Sequence, residues 1–485
     1  MGTFWNKEQF KIVINADNGE LPYTVYTDSR LNGADKAVVA YNFEFKDSSS
    51  NVLNLFEAAS STAYLDIFDV NESLCPVNRQ SDYYGKLVPG TSVNIYKAEY
   101  IATLEVDEET GEYIDSYDWQ PYGTWYVTSL TNSFEDGHGR EVNIGLEDML
   151  NPILATDISE LVYSGTTAYD ALTAVISAGI LSLLPEATPS NYWTIDTDVL
   201  AELNNLAYTA LKPYTAASTI NDILKLVAAC CTVTHVGKIH IRKLIQYAPA
   251  TADIDFGNKV GALATTITNS VNYGKVTVRS ASSDNVSYTR IVSNFKPENP
   301  LTSGSNVITI DLPDDVQTVE AIYVDAQGLA DGDEILSVNF TLKQSQLVVT
   351  IVASLTQELL ATIDVYGLIP SGQAFEETTV NIGGSTQLAQ YSDVYTYSTS
   401  SLLNAEERTA VAESLANVIV GLREKVTIRT AMLSPDIEVG DVVTLSDISE
   451  IYDGFYRIVT LTIEYSSTYN TTATLLKLNE EEEEE

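Results

Sequence analysis

The same order of short strands is written twice in this chain, once near each end. Each copy has two alternating strands that follow a glycine, and then a third strand that closes the unit. The first copy reads GTSVNIY from Gly90, GTWYVTSL from Gly123 and EVNIGLED from Glu141; the second reads GDVVTLS from Gly440, GFYRIVTL from Gly454 and TATLLKL from Thr472. An alternating strand keeps one face apolar, so each copy can cover a core of its own.

The spacing inside the two copies also agrees. Val142 lies 19 residues after Gly123, and Ala473 lies 19 residues after Gly454. Glycine tolerates the positive φ that a turn before a strand often needs. The pattern predicts two small β-domains of one type. The alternative is that two unrelated β-meanders look alike, because the matched residues are few.

The charge of the chain limits its possible partners. The sequence has 485 residues, with 67 acidic and 26 basic side chains and a formal net charge of -41. A surface of this kind repels nucleic-acid phosphates and anionic lipid heads, which argues against binding either as a main function.

No stretch has the roughly 18 to 20 apolar residues of a membrane span, and we expect no signal peptide. Three cysteines, two of them adjacent, do not indicate a disulfide framework, so we expect folding in a reducing cytoplasm.

A chain of this length is expected to form several domains. We predict a first β-domain at 1–155, an α+β domain at 156–250, a linking β segment at 251–304, an inserted β-sandwich at 305–385, a helix with the second β-domain at 386–479, and an acidic disordered tail at 480–485. Between Tyr96 and Trp125 an acidic insert is predicted to form a long hairpin tip. Together these segments give a mainly β, multidomain fold class with an α+β middle domain.

Three helices are predicted from apolar periodicity. Residues 166–184 place Leu172, Val175, Ile176 and Ile180 on one face. Residues 216–229 form a second helix, in which Thr219 and Asp222 resemble a capping box. Residues 404–424 form the third, and a hairpin that turns at Val236 and Gly237 follows the second.

The order of these elements resembles that of the baseplate hub proteins at the tip of tailed-bacteriophage tails and of related contractile injection machines. The segments that carry the resemblance are PGTSVNI, YGTWYV and REVNIGLEDML, then TINDILKLVAACCTVTHVGKIHIRKL, then NAEERTAVAESLANVIVGLREKVTIRT, and last PDIEVGDVVTLSD with YDGFYRIVTLTIEY. The resemblance covers most of the chain and leaves out the insert at 305–373.

The resemblance implies that both β-domains are tube-like β-barrels and that the protein is a homotrimer. Three copies would then present six similar barrels in a pseudo-sixfold ring, which matches a hexameric tail tube to a threefold tip. The implied partners are the tail tube or distal tail protein and a central spike or tip protein. DNA would pass through an acidic channel without specific binding, in a virion tail tip assembled in the cytoplasm of the host bacterium.

Catalytic and metal-binding patterns are weak. No G-x-S-x-G motif occurs. His235 and His240 near Cys231 could hold zinc in principle, but their spacing matches no established zinc pattern, and His138 lies between glycines in a turn. Acidic groups at 107–109, at Asp325 and at 331–334 lack the spacing of an EF-hand loop. We therefore predict no catalytic, cofactor-binding or metal residues, no cofactor and no enzymatic activity.

The sequence also allows two other functions. A receptor- or carbohydrate-binding tail protein would use the tyrosines and tryptophans, and the inserted sandwich, as stacking surfaces. A tail-tip hydrolase would use two of the 67 acidic side chains as paired carboxylates.

Overall fold

The structure of the chain is a computed structural model. It describes residues 8–32, 36–46, 56–75, 78–135, 139–158, 161, 167–208, 215–234, 236–244, 252–255, 266–268, 273–281, 286–312, 318–343, 346–370, 375–382, 393–421, 425–430, 437–446, 453–465 and 469–478. The predicted acidic tail at 480–485 and two of the three histidines, His138 and His235, lie outside the described residues.

The predicted class is confirmed, because the chain is mainly β and is divided among several sheets. The N-terminal strands are β1 (Glu8–Ala16), β2 (Leu21–Tyr26), β3 (Lys36–Lys46), β4 (Thr62–Asp69), β5 (Ser92–Glu99), β6 (Gln120–Glu135) and β7 (Gly139–Glu147). The middle elements are α1 (Leu150–Leu154), α2 (Ala168–Leu183), β8 (Trp193–Ile195), α3 (Thr197–Asn205), β9 (Ala207–Tyr208), α4 (Ala216–Leu226), β10 (Ala229–Val233) and β11 (Ile239–Lys243).

The second half of the chain is almost entirely strands. They are β12 (Ala252–Asp255), β13 (Thr266–Thr268), β14 (Tyr273–Ala281), β15 (Val286–Phe295), β16 (Gly304–Asp311), β17 (Thr318–Ala326), β18 (Glu334–Lys343), β19 (Gln346–Ser354), β20 (Ala361–Pro370), β21 (Phe375–Asn381) and β22 (Asp393–Leu402). After helix α5 (Ala405–Gly421) come β23 (Lys425–Thr430), β24 (Val442–Ser446), β25 (Gly454–Tyr465) and β26 (Tyr469–Lys477).

One sheet contains strands from both ends of the chain. Its order is β13-β23-β26-β25-β3-β4-β7-β6-β5-β1-β2, and β24 joins it through β25 while β12 pairs with β24. We call β1 to β7 the first module and β12, β13 and β23 to β26 the second module. Among the described residues the pairing path does not return on itself, so closure of either module into a barrel stays a prediction.

The two modules have the same strand pairing. In the first, Val93 of β5 faces Trp125 of β6. In the second, Val443 of β24 faces Tyr456 of β25, at the same distance from the leading glycines. A bulge interrupts the next pairing after Val127 in β6 and after Ile458 in β25, which are again equivalent positions.

The turns before β5 and β24 also have equivalent hydrogen bonds. Gly90 has φ +89° and Gly440 has φ +90°. The Gly90 amide donates to the Val127 carbonyl at 2.8 Å, and the Gly440 amide donates to the Ile458 carbonyl at 2.7 Å. The residue after each glycine also makes the same side-chain bond. Thr91 accepts a hydrogen bond from the Val88 amide, and Asp441 accepts one from the Glu438 amide. The two glycine turns therefore have the same local structure.

One detail differs from the sequence-based alignment. Counting from the bulges, the residue of the second module equivalent to Val142 is Thr471 and not Ala473, because the hairpin between β25 and β26 is two residues shorter than that between β6 and β7. The equal spacing of 19 residues was therefore coincidental at the closing strand. In addition, β12 lies parallel to β24, whereas β1 lies antiparallel to β5.

The inserted sandwich consists of two three-stranded sheets, β15-β20-β17 and β16-β19-β18. Alternate residues of these strands form its core, which includes Ile310, Val349, Ile351, Ile363 and Val365. Strand β15 belongs to the first of these sheets, so we propose that the insert begins near residue 286 and not at residue 305. The linking segment accordingly divides: β12 and β13 join the second module, and β14 joins a sheet with β21, β22 and β9.

The predicted helices form a layer with that last sheet. Leu172, Val175, Ile176 and Ile180 of α2 are all buried, as predicted. Helix α5 packs in the same cluster, through residues that include Val411, Leu415, Val418 and Ile419. The late helix therefore contacts the middle domain, and the chain passes from it directly into the second module.

The predicted capping box in α4 is wrong. The N-cap position of the helix is Thr215, and Thr219 and Asp222 lie buried inside the helix. The Asp222 carboxylate accepts hydrogen bonds from the hydroxyls of Tyr208, Tyr397 and Thr399. These tertiary partners replace the backbone donors that a capping carboxylate would have bound.

The acidic insert was predicted to form a long hairpin tip, and the structure shows a short one at the bridge between Val106 and Tyr113. The segment that follows the hairpin, which contains Tyr117, lies against the first module rather than in solvent. The Tyr117 hydroxyl donates to Asp28 at 2.6 Å, and Arg30 forms an ion pair with the same carboxylate at 2.6 Å. The base of the tip is thus fixed beside β2.

The matched glycines allow a test of how the second module is attached to the middle domain. A Cβ at Gly90 would meet no atom within 4 Å, but a Cβ at Gly440 would overlap the guanidinium of Arg242 in β11. Arg242 is buried, and it donates to Thr232 and to the Val439 carbonyl, so it cannot move aside without losing those bonds. Both Gly→Ala substitutions also incur the roughly 1–2 kcal/mol cost of a left-handed backbone.

We therefore expect Gly440→Ala to lower the Tm of the protein clearly more than Gly90→Ala does, as measured by differential scanning calorimetry. Gly90→Ala is the control for backbone strain alone. Equal losses in the two variants would contradict the contact between Gly440 and Arg242.

Candidate assembly interface

The two modules are joined by strand pairing. Strand β3 of the first module lies antiparallel to the second half of β25, with Phe43 facing Ile463 and Glu44 facing Thr462. Tyr41 and Phe43 belong to the same buried cluster as Leu461 and Ile463. The junction therefore combines backbone hydrogen bonds with a continuous apolar layer, as in the interior of a single sheet.

Strand β25 can accept β3 because its first half has a different neighbour. Residues 454–457 pair with β24, and residues 460–465 pair with β3 along the same edge. The equivalent strand of the first module, β6, pairs with β5 only through residues 120–126. No pairing on that edge is seen for residues 129–135 among the part of the chain that the structure describes.

The face of the sheet opposite the core is polar and acidic across the junction. Glu464 of β25 faces Asn42, which in turn faces Tyr64 of β4. Burial raises the pKa of Tyr64, and the negative charges of Asp66 and Glu464 raise it further, so these side chains lie close together. We call Glu44, Asp66 and Glu464 the acidic row; they occupy the non-core positions of β3, β4 and β25.

The acidic row was not identified from the sequence. Each of its members alternates with buried apolar residues, such as Phe43, Leu65 and Ile463, and this alternation was the available signal. It could not show that three strands from opposite ends of the chain lie side by side. The Asn143 amide donates to Asp66 at 2.6 Å and holds that carboxylate in place.

The residues considered for metal binding have other contacts in the structure. Among the described residues, no group of three His, Cys, Asp or Glu side chains could hold a metal ion. His240 bonds to Asp196 at 2.8 Å, and Cys231 is buried. Asp107 accepts the amides of Glu109 and Thr110, which lower its pKa, so that it closes the turn of the tip.

The acidic loop at 331–334 has the same kind of structure. Asp333 accepts hydrogen bonds from the backbone amides of Ala330 and Thr356. Such bonds stabilise the turn before β18. They account for the position of the Asp333 carboxylate.

One carboxyl group has an unusual environment. Asp148 lies beside a small pocket lined by Ser61, Tyr122, Trp125 and Val233, among others, and burial raises its pKa to about 7. Its oxygens accept the amides of Ser61 and Leu150. The residues lining the pocket include no second carboxyl group, so the geometry of a paired-carboxylate hydrolase is not present there.

The insert has an aromatic surface on its β15-β20-β17 sheet, which we call the tyrosine platform: Tyr288, Tyr323 and Tyr366. Tyr366 lies between the other two, with ring centroids 5.8 Å from Tyr288 and 5.4 Å from Tyr323. Arg290 bonds to the Tyr366 hydroxyl at 2.9 Å and to Asp364 at 3.0 Å. Tyr288 and Tyr323 are 56% and 61% exposed, so ring surface is left open to solvent.

None of the described helices combines the length and apolarity needed to cross a membrane. All three cysteines are buried, and none forms a disulfide.

No family model matches this chain, and no curated protein matches it. Solved structures do. The tail protein from Neisseria meningitidis MC58 aligns over 96% of this chain and 96% of its own, with 10% identity and a TM-score of 0.51. The 43 kDa tail protein of prophage MuSo2 from Shewanella oneidensis aligns over 96% of this chain and 98% of its own, with 10% identity and a TM-score of 0.50. Over almost its whole length, this chain has the fold of these two tail proteins.

Proposed function

We propose that this protein is the structural hub of a phage tail tip or baseplate. In this proposal it forms a homotrimer whose six modules make a pseudo-sixfold ring, joins the hexameric tail tube to the central spike or tip, and lines the DNA channel. The observation that carries the proposal is the pairing of β3 with β25, which places two equivalent modules side by side in one sheet.

A duplicated module inside one chain solves a symmetry problem. A sixfold tube and a threefold tip cannot contact each other through identical subunit surfaces unless one partner presents its binding unit twice per chain. Three copies of this chain would supply six modules. The strands pair in the order β5-β6-β7 in the first module and in the equivalent order β24-β25-β26 in the second. The fold shared with two tail proteins supports the same assignment.

The acidic row suits the wall of a DNA channel. A carboxylate repels phosphate, so a wall carrying Glu44, Asp66 and Glu464 lets a duplex slide without holding it. The opposite, apolar face of the same strands is already covered by the core. We propose that the polar face is turned toward the axis and that the protein has no enzymatic activity.

The mass and location of the protein test this proposal. Light scattering of the purified chain should give three times the mass of one chain, and an antibody against it should label the end of the phage tail distal to the capsid. A stable monomer, or labelling along the whole tail, would contradict the hub.

A second candidate function is favoured by the tyrosine platform. Aromatic rings with open faces, beside an ordered Arg290 and Asp364, offer stacking and hydrogen bonding to a neutral saccharide. The insert carries this surface on the sheet formed by β15, β20 and β17, which is separate from the sheet of the modules. We propose carbohydrate or receptor binding as the alternative function of this tail protein.

For this alternative, Tyr323→Ala should weaken binding on a glycan array by on the order of tenfold, since one aromatic contact contributes about 0.5–1.5 kcal/mol beyond its buried area. Leu360→Ala is the matched control, because Leu360 is 68% exposed on the same insert but outside the platform. An absence of any glycan bound by the unmodified protein, or an equal loss in both variants, would rule the alternative out.

A further inference from the structure

We propose that copies of this chain join by the same strand pairing that joins its two modules: β13 of one copy adds antiparallel to residues 129–135 of β6 in the next. This inference rests on the proposed trimeric ring, and it names the surfaces and the register that close it. The occupant of both edges is a second copy of this chain.

The equivalence of the strands gives the register, beginning at β6 and β25. Tyr126 of β6 and Arg457 of β25 lie three residues after Gly123 and Gly454. Tyr126 faces Glu147 of β7. Arg457 faces Leu476 of β26. Glu147 and Leu476 are therefore equivalent.

The same step leads to the next strands. Glu147 faces Thr62 of β4. Leu476 faces Lys425 of β23. Thr62 and Lys425 are therefore equivalent, and both β4 and β23 lie antiparallel to the closing strand of their module.

One more step reaches the outer strands. Thr62 faces Glu44 of β3. Lys425 faces Thr268 of β13. Thr268 thus occupies in the second module the position that Glu44 occupies in the first. Strand β3 is the one that lies on β25, so β13 is the strand equipped to make the corresponding contact.

Both edges needed for that contact are open among the residues that the structure describes. Strand β13 ends the large sheet and pairs only with β23. Residues 129–135 of β6 pair only with β7. An unpaired edge next to a paired equivalent is a site for another strand.

The open edge of β6 is less buried than the equivalent edge of β25, as expected if a strand can still be added to β6. Leu461 of β25 is only 1% exposed, because it lies under β3 in the shared core. Its equivalent Leu130 in β6 is only partly buried, although it packs against the same cluster. The Asn132 side chain also has a buried oxygen with no hydrogen-bond partner among the described residues. A strand added along this edge covers Leu130 and brings polar backbone close to Asn132.

The pairing of Thr462 with Glu44 fixes the predicted contact between copies. Thr131 is equivalent to Thr462, and Thr268 to Glu44, so Thr131 of one copy faces Thr268 of the next. The neighbouring pairs are then Asn132 with Ile267 and Ser133 with Thr266. Facing residues in an antiparallel pair have Cα atoms roughly 4.5–5.5 Å apart, within the range that a disulfide can bridge.

The test is a double cysteine variant, Thr131→Cys with Thr268→Cys, oxidised and separated on a denaturing gel without reductant. Covalent dimers and closed trimers are expected. The matched control is Glu44→Cys with Thr462→Cys, the equivalent pair inside one chain, which should give a cross-linked monomer. The three native cysteines are buried and contribute little background.

The outcomes separate this inference from the proposed function. Mixing the two single-cysteine chains should give one covalent dimer and no larger species, which confirms a head-to-tail contact between copies. A trimer by light scattering with no cross-link, while the control pair does cross-link, overturns the strand pairing but leaves the hub standing. A monomer with no cross-link overturns both.

Discussion

The pairing of β3 with β25 is the contact on which the architecture depends. It is made between residues more than 400 positions apart in the chain, and it turns two small β-units into one sheet with one apolar layer. Removing it would expose Phe43 and Ile463 and leave two rows of backbone groups unpaired, which is costly on both counts. The shared sheet therefore fixes the distance between the point where the chain leaves the first module and the point where it enters the second.

The middle of the chain meets that constraint through buried polar contacts. Arg242 of β11 donates to the Val439 carbonyl, directly beside the turn that starts the second module. Asp222 of α4 binds Tyr397 and Thr399 of β22, the strand that leads into α5. The middle domain thus holds the chain at the points where it re-enters the sheet. The insert, with its own core, makes a separate unit.

Much of this fold follows from local patterns. Alternation predicted the strands, apolar periodicity predicted α2 and α5, and the glycines before β5 and β24 predicted the repeat, because each of these signals depends on neighbours in the sequence. The order of the strands in the sheets does not follow from local patterns. The parallel placement of β12, the attachment of β15 to the insert and the two-residue offset at Thr471 all depend on partners far along the chain.

The candidate interface was predictable only in kind. The repeat predicted two modules of one type and the resemblance to hub proteins implied a ring, but the acidic row becomes visible only when β3, β4 and β25 lie together. The Asp222 error has the same origin, since a carboxylate at a capping position in the sequence was satisfied by tyrosines from other elements. Residues whose partners are non-local are the ones that sequence patterns leave undetermined.

Electron microscopy of the assembled protein would show the order of the strands around the ring. We expect six modules around one axis, with a single continuous sheet in which β3 follows β25 within each chain and β13 follows β6 between chains, and with Glu44, Asp66 and Glu464 facing the bore. A map in which the two modules of a chain lie side by side but the outer edges of β13 and β6 contact different proteins, or face solvent, would contradict this arrangement.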